Sequence, residues 1–369
     1  MKRMYFLISP NCNLKCKYCF QLGNEPEKPG SAGYHSQKHV RADEKVVEGL
    51  VAYCLTNNVT HVEIFGGEPL FYRDMFEHTV TSLCERVPGM SIGVITNGTL
   101  ITEKIMRMFE TLPVSILLSL DGGRERHNEL RGGFDRISRW FDRLVAQGAV
   151  SVAIQAGKIQ GLYENIRYIW GVGFKKVYVN IIENHGWYGA TDVARFEQEY
   201  EMAIEGMLRR EGNLNCAAQL YDSLKQTAPE QGCGVIHEGL ACDWHGLLYP
   251  CHRAMEIGTE FAIGSIVDGV DVERAAKTRD RIHREAFQSD SAKEFPLVSY
   301  CPVAIFQKHR DFKGEWSREY CEMIELKAKL VAKHYLELMP LIDGPSHEAV
   351  ECTGANTTPQ LAVPVQAAV

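Results

Sequence analysis

The chain has 369 residues, with 40 basic against 47 acidic side chains, a formal net charge of -7 and 12 cysteines. This slightly acidic balance argues against a broad nucleic-acid surface, which needs Lys and Arg to neutralise phosphates. No apolar run approaches the roughly 20 residues that span a bilayer, and the apolar start meets Asn11 and Cys12 with no small-residue cleavage site, so neither a membrane span nor a signal peptide is expected.

In chain order, strand-like runs at 4–9, 61–65, 91–95, 114–119, 151–155 and 176–182 alternate with helical patterns at 43–57, 72–86, 103–110, 134–147 and 163–172. Strand–helix alternation of this kind predicts an α/β fold with a parallel sheet and right-handed crossovers. Alternation leaves open whether the sheet closes; a (β/α) barrel or part-barrel would carry its site at the C-terminal ends of the strands. Residues 21–41 read as a long polar loop. Around 192–210, Phe196, Tyr200, Ile204 and Met207 recur at helical spacing and read as core. Near Asn213 the repeating pattern stops and cysteines become dense, which divides the chain into 1–213, 214–340 and a tail, 341–369, without periodicity and expected to be disordered. A helix is expected over 317–338.

Twelve thiols in a chain without an export signal belong to a reducing compartment, a cytoplasmic one by expectation, where they bind metals or do chemistry. The strongest signal is Cys12, Cys16 and Cys19, three thiols within eight residues of loop after the first strand. Soft sulfur ligands select iron–sulfur clusters, zinc or Cu(I). A structural zinc site needs a fourth ligand. Three ligands suit a [4Fe–4S] cluster with one iron left open for a substrate.

This spacing, with Tyr18 before the third cysteine, resembles the radical S-adenosylmethionine (SAM) superfamily. The resemblance runs over about 4–185: Gly66-Gly67-Glu68-Pro69 follows the second strand, Thr96-Asn97-Gly98 the third, and Ser119-Leu120-Asp121-Gly122 the fourth, with His127, Asn128 and Arg131 beyond. Any one glycine pair alone would read as a tight turn; their order at successive strand ends carries the likeness. It implies a partial (β/α)6 TIM-like barrel. It also implies cofactor contacts from Tyr18, Gly66, Gly67, Glu68, Pro69, Thr96, Asn97, Gly98, Ser119, Asp121 and Arg131, with Glu68 and nearby carbonyls receiving the SAM amino group. One electron from the cluster would cleave SAM to methionine and a 5′-deoxyadenosyl radical, which abstracts a hydrogen from an unactivated carbon.

Cys233 and Cys251, the second closing Tyr249-Pro250-Cys251 after a hairpin turn at 243–246, resemble the start of the SPASM and twitch extensions of the same superfamily, which hold auxiliary [4Fe–4S] clusters. Cys301 and Cys321 are then the further ligands implied, with Cys242 as an alternative. The dense cysteine block of a full SPASM domain is missing after Cys301, so at least one auxiliary cluster is expected, and the count suits one more easily than two. Cys54, Cys84 and Cys216 read as buried free thiols, and Cys352 has no assigned role. Sulfatase-maturing members carry an aspartate base after the corresponding cysteine; here His252 stands there. It is either a base, since histidine titrates near neutrality, or a hydrogen-bond donor beside the cluster.

The resemblance implies a radical SAM enzyme that oxidatively modifies a peptide or protein side chain, fed electrons by a flavodoxin- or ferredoxin-type reductant. Dehydrogenation of a small alcohol or sugar is the enzymatic alternative, and a non-catalytic electron carrier or scaffold the other. No leader-binding segment precedes the first strand, so a peptide leader would be held elsewhere.

Overall fold

β1 (Lys2–Ser9) is hydrogen-bonded on both edges and delivers the chain into the cysteine loop. The computed structural model describes residues 2–19, 40–154, 159–182, 188–214, 240–287 and 318–342. On one side of β1 lie β2 (Val59–Gly66), β3 (Ser91–Thr96), β4 (Val114–Ser119), β5 (Gly148–Ile154) and β6 (Lys176–Ile181), in that order and all parallel, with β7 (Asn213–Leu214) at the margin. Intervening helices include α1 (Glu44–Asn57), α2 (Arg73–Arg86) and α3 (Glu103–Thr111). This parallel series is the expected partial TIM-like barrel sheet.

The register explains why these runs pack. Val62 pairs with Ile92, Ile64 with Val94, and Val94 with Ile116, and these side chains are almost wholly buried. Each such burial contributes about 1.5–3 kcal/mol. Polar groups fix the helix entries. Asp43 accepts the Val46 N–H at 2.9 Å as the N-cap of α1, and Thr102 accepts that of Ile105 at 3.3 Å ahead of α3. The start of α7 (Leu162–Val172) is served from outside: Glu199 of α8 (Ala190–Leu208) accepts the N–H groups of Gly161 and Tyr163.

The expected helix over 134–147 is two short ones, α5 (Phe134–Ser138) and α6 (Phe141–Leu144), preceded by α4 (Arg124–Leu130), which alternation alone does not reveal. The expected helix over 317–338 is likewise split into α11 (Arg318–Lys333) and α12 (Tyr335–Ile342).

The chain beyond Asn213 returns to the opposite margin of the same sheet. β8 (Leu240–Cys242) runs parallel to β1, Phe6 pairing with Cys242, and then β9 (Leu247–Tyr249), β10 (Gly264–Ser265) and β11 (Gly269–Val270) continue antiparallel. The turn expected at 243–246 joins β8 to β9, braced by Asp243, which accepts the N–H groups of His245 and Leu247 and the Tyr249 hydroxyl. α9 (His252–Ile257) and α10 (Val272–Phe287) lie in this part. α11 packs on α8 and β6; the buried Lys327 donates to the Val179 carbonyl at 2.8 Å, past the point where β7 stops pairing at Val177. Among the described residues no helix is long and apolar enough to cross a membrane. The tail 343–369 lies outside the described residues.

Candidate functional site

The cysteine loop is held to three strand ends by backbone and side-chain bonds. Gly67 N–H donates to Ser9 O at 3.0 Å and Glu68 N–H to Asn11 O at 2.8 Å. This contact requires the glycine pair: a Cβ on Gly66 would lie 2.3 Å from Ser9 O, and one on Gly67 2.4 Å from the carbonyls of Pro10 and Asn11. On the far side Lys17 N–H donates to Leu130 O at 3.0 Å, tying the loop to the end of α4.

Glu68 is buried and its carboxylate is turned toward β3. One oxygen accepts the Leu70 N–H at 3.1 Å and the Thr96 hydroxyl at 2.6 Å, the other the Asn97 N–H at 2.8 Å. Burial pushes its pKa up to about 7, against these three donors. In this arrangement the acidic side chain joins strand ends. Pro69 opens the short 3-10 turn that follows.

Asn97 accepts the Thr99 N–H and hydroxyl on its oxygen, at 2.9 and 2.6 Å. Its Nδ2 therefore faces Asn13 Oδ1, at 3.1 Å, and Cys12 Sγ, at 3.8 Å. The Leu14 N–H also points at Cys12 Sγ, at 3.4 Å. Gly98, with φ of 73°, turns the chain back under this network. Ser119 ends β4, in register with Ser151.

Asp121 is wholly buried. It accepts from the Tyr18 hydroxyl and, at 2.9 Å, from Arg131 Nε; the Arg131 guanidinium lies 5.0 Å from the Tyr18 ring centroid, with Nη1 4.0 Å from Cys16 Sγ. His127 accepts the Asp121 backbone N–H at 3.3 Å, and burial holds it neutral, with its pKa lowered to about 4.

Burial pushes the Cys12 thiol up to about 12 and raises Cys16 as well, the latter offset by Arg131. Thiols so placed become thiolates when a metal displaces the proton. Among the described residues no three His, Cys, Asp or Glu side chains gather as one metal ion would need; a four-iron cluster, taking one thiolate per iron, makes no such demand. Soft donors, burial and N–H groups aimed at sulfur fit an iron–sulfur cluster on Cys12, Cys16 and Cys19.

The second cysteine set is only partly described. Cys251 is buried ahead of α9, and Cys321 is buried within α11; Cys233 and Cys301 lie outside the described residues. Cys242 pairs across the hairpin with Leu248, and its thiol is raised by burial, with Cys54 of α1 among the groups it senses. His252 packs against Tyr5 and Phe65, ring centroids 4.9 and 5.7 Å away. Its Nδ1 is buried without a hydrogen-bond partner, and burial lowers its pKa to about 3. Such an imidazole is a poor base, and the expected hydrogen bond is not made by Nδ1. Three residues of the network were not singled out from sequence. Asn13 and Thr99 stood inside motifs that were, and Arg126, whose buried Nε has no hydrogen-bond partner, senses Asp121 and Tyr18 from the first turns of α4.

Residues 6–155 match the model of the radical SAM superfamily. This stretch is a radical SAM domain. The chain is 28% identical over 217 residues to a probable GTP 3′,8-cyclase of Methanocella arvoryzae, covering 55% of this chain and 65% of that one. It is 27% identical over 153 residues to the radical SAM cyclopropyl synthase TigE of Paramaledivibacter caminithermalis, covering 39% and 32%. The chain thus spans from about a third to just under two thirds of these curated relatives. In fold it resembles anSMEcpe with bound AdoMet, with a TM-score of 0.70 at 16% identity over 92% of this chain and 99% of that one. It also resembles Streptococcus suis SuiB bound to its precursor peptide SuiA, with a TM-score of 0.62 at 17% identity over 85% and 75%.

Proposed function

We propose that the chain is a radical SAM enzyme that oxidatively modifies a peptide or protein side chain, with a [4Fe–4S] cluster on Cys12, Cys16 and Cys19 and an auxiliary cluster on Cys233, Cys251, Cys301 and Cys321. A cluster with bound SAM supplies a strongly reducing electron and, from it, a hydrogen-abstracting carbon radical. The chain's own residues do the rest. Gly66, Gly67 and Glu68 lock the cysteine loop to the strand ends, Arg131 and Asn97 face the sulfurs, and Tyr5, Phe65 and His252 make an aromatic wall.

The observation that carries the peptide reading is the extent of the fold likeness. It runs beyond the barrel to 92% of the chain, and the proteins on the other side include one bound to a precursor peptide. A second reading, a small nucleotide or other small-molecule substrate, is favoured by the cyclase relatives, whose alignment covers 55% of the chain.

The test is anaerobic reconstitution with iron and sulfide, then incubation with SAM and dithionite. The protein is expected to release 5′-deoxyadenosine, and replacement of Cys12, Cys16 and Cys19 by Ala to abolish release. Cleavage retained in that variant would sink the assignment. Hydrogen transfer from a labelled nucleotide, and none from candidate peptides, would favour the second reading.

A further inference from the structure

Cys12 and Cys16 each face a side-chain N–H donor from another segment, the end of β3 for one and the end of α4 for the other. For Cys12 it is Asn97 Nδ2 at 3.8 Å, and for Cys16 it is Arg131 Nη1 at 4.0 Å. Neither donor is free to turn away. The Asn97 oxygen accepts the Thr99 backbone N–H, which can only donate, so the amide nitrogen must point toward the sulfur. Arg131 commits Nε to the wholly buried Asp121, and its guanidinium lies over the Tyr18 ring, whose hydroxyl donates to the same carboxylate. The resemblance assigns both donors to SAM contacts, and here each also reaches a cysteine sulfur.

We propose that Asn97 and Arg131 set the reduction potential of the cluster on the triad, and that Asp121 is the positioning residue that keeps Arg131 on Cys16. This rests on the reading above that the triad holds a [4Fe–4S] cluster. The step concerned is transfer of one electron from an external low-potential donor to the cluster; no bond breaks, and the added negative charge is shared with the thiolate sulfurs. N–H donors and a nearby cation stabilise that charge, and hydrogen bonds to sulfur, net charge and exposure are what tune such clusters. Arg131 and Asp121 are largely shielded from water, and charges interact more strongly in such a place than in solvent. Asn97 adds a neutral dipole, so its effect has the same sign and a smaller size.

The experiment is a dithionite titration of anaerobically reconstituted protein without SAM, followed by electron paramagnetic resonance, with iron and sulfide counted beforehand. The triad signal is the component missing from the protein with Cys12, Cys16 and Cys19 all changed to Ala. Arg131→Met is expected to hold the added electron at least tenfold more weakly, a shift of about 59 mV to more negative potential for a one-electron couple. Asn97→Ala shifts it less, in the same direction. Asp121→Asn separates positioning from simple charge. Neutralising a carboxylate near the cluster raises the potential by charge alone, whereas releasing Arg131 from Cys16 lowers it. The expected result is a lowered potential, restored by Asp121→Glu. Unchanged potentials in Arg131→Met and Asn97→Ala, or a raised one in Asp121→Asn, overturn the proposal. If Arg131→Met loses its iron, Asn97→Ala decides, an unshifted potential counting against it. Wild-type protein that assembles no cluster on the triad overturns the underlying reading, and the tuning role with it.

Discussion

Glu68 Oε2 accepts the backbone N–H of Asn97 at 2.8 Å, so a carboxylate at the end of β2 holds the end of β3 from inside the protein. Burial raises its pKa from 4.5 to about 7. A carboxyl whose pKa is raised on folding contributes stability that is fully present below the unfolded value and is lost as pH rises through the folded one. Metal-free wild-type protein should therefore lose about 2–3 kcal/mol relative to Glu68→Gln between pH 4.5 and pH 8. Urea unfolding of both proteins across that range checks it; parallel pH profiles would show that Glu68 titrates normally.

Gly67→Ala tests the closeness of the cysteine loop to the second strand end. The added methyl would lie 2.4 Å from two carbonyl oxygens of the loop, too near for backbone to accept without moving. The variant is expected to keep its circular dichroism spectrum and to lose most of the iron held by Cys12, Cys16 and Cys19. Full iron retention would mean that the loop can shift without losing its ligand geometry.

Lys327→Met removes the ammonium that donates to the Val179 carbonyl at 2.8 Å while keeping most of the buried stem. Hydrogen bonds to charged groups contribute about 1.5–3 kcal/mol, and a loss of that order is expected in urea unfolding. Triad iron should be unchanged, because α11 meets the sheet at β6, whereas the cysteine loop follows β1.

Cys251→Ala addresses the role of the extension. A crosslink or dehydrogenation removes two electrons from the substrate, and only one leaves with the hydrogen atom. If the auxiliary cluster takes the second, the folded variant should still cleave SAM but form less product per 5′-deoxyadenosine. Iron should fall from about eight to about four per chain, as expected for two four-iron clusters reduced to one. An unchanged product ratio would falsify the electron-acceptor role.

The parallel strands and the cysteine triad were legible because their signals are local: apolar runs at strand length, and three thiols within eight residues. The strand-end motifs were visible for the same reason, but their partners were not. Nothing in Ser119-Leu120-Asp121-Gly122 shows that Asp121 will meet Tyr18 and Arg131 from two other segments. The breaks near Trp140 and His334 were missed because apolar spacing carries across a short interruption. The pairing of β8 with β1 was hidden by its range, since a three-residue strand gains its identity from a partner far back in the sequence. Two roles for His252, a base or a hydrogen-bonding group, could be read from its place after Cys251; its packing against the rings of Tyr5 and Phe65 could not, since both come from distant strands.

The Phe6–Cys242 pairing also sets an order of events during synthesis. β1 is made before β8, and the strand that covers its second edge follows only after the whole parallel series. Until then β1 is an unprotected edge, the kind of surface on which chains pair with one another and aggregate. A nascent or truncated chain ending before Leu240 therefore displays an open strand leading into the cysteine loop.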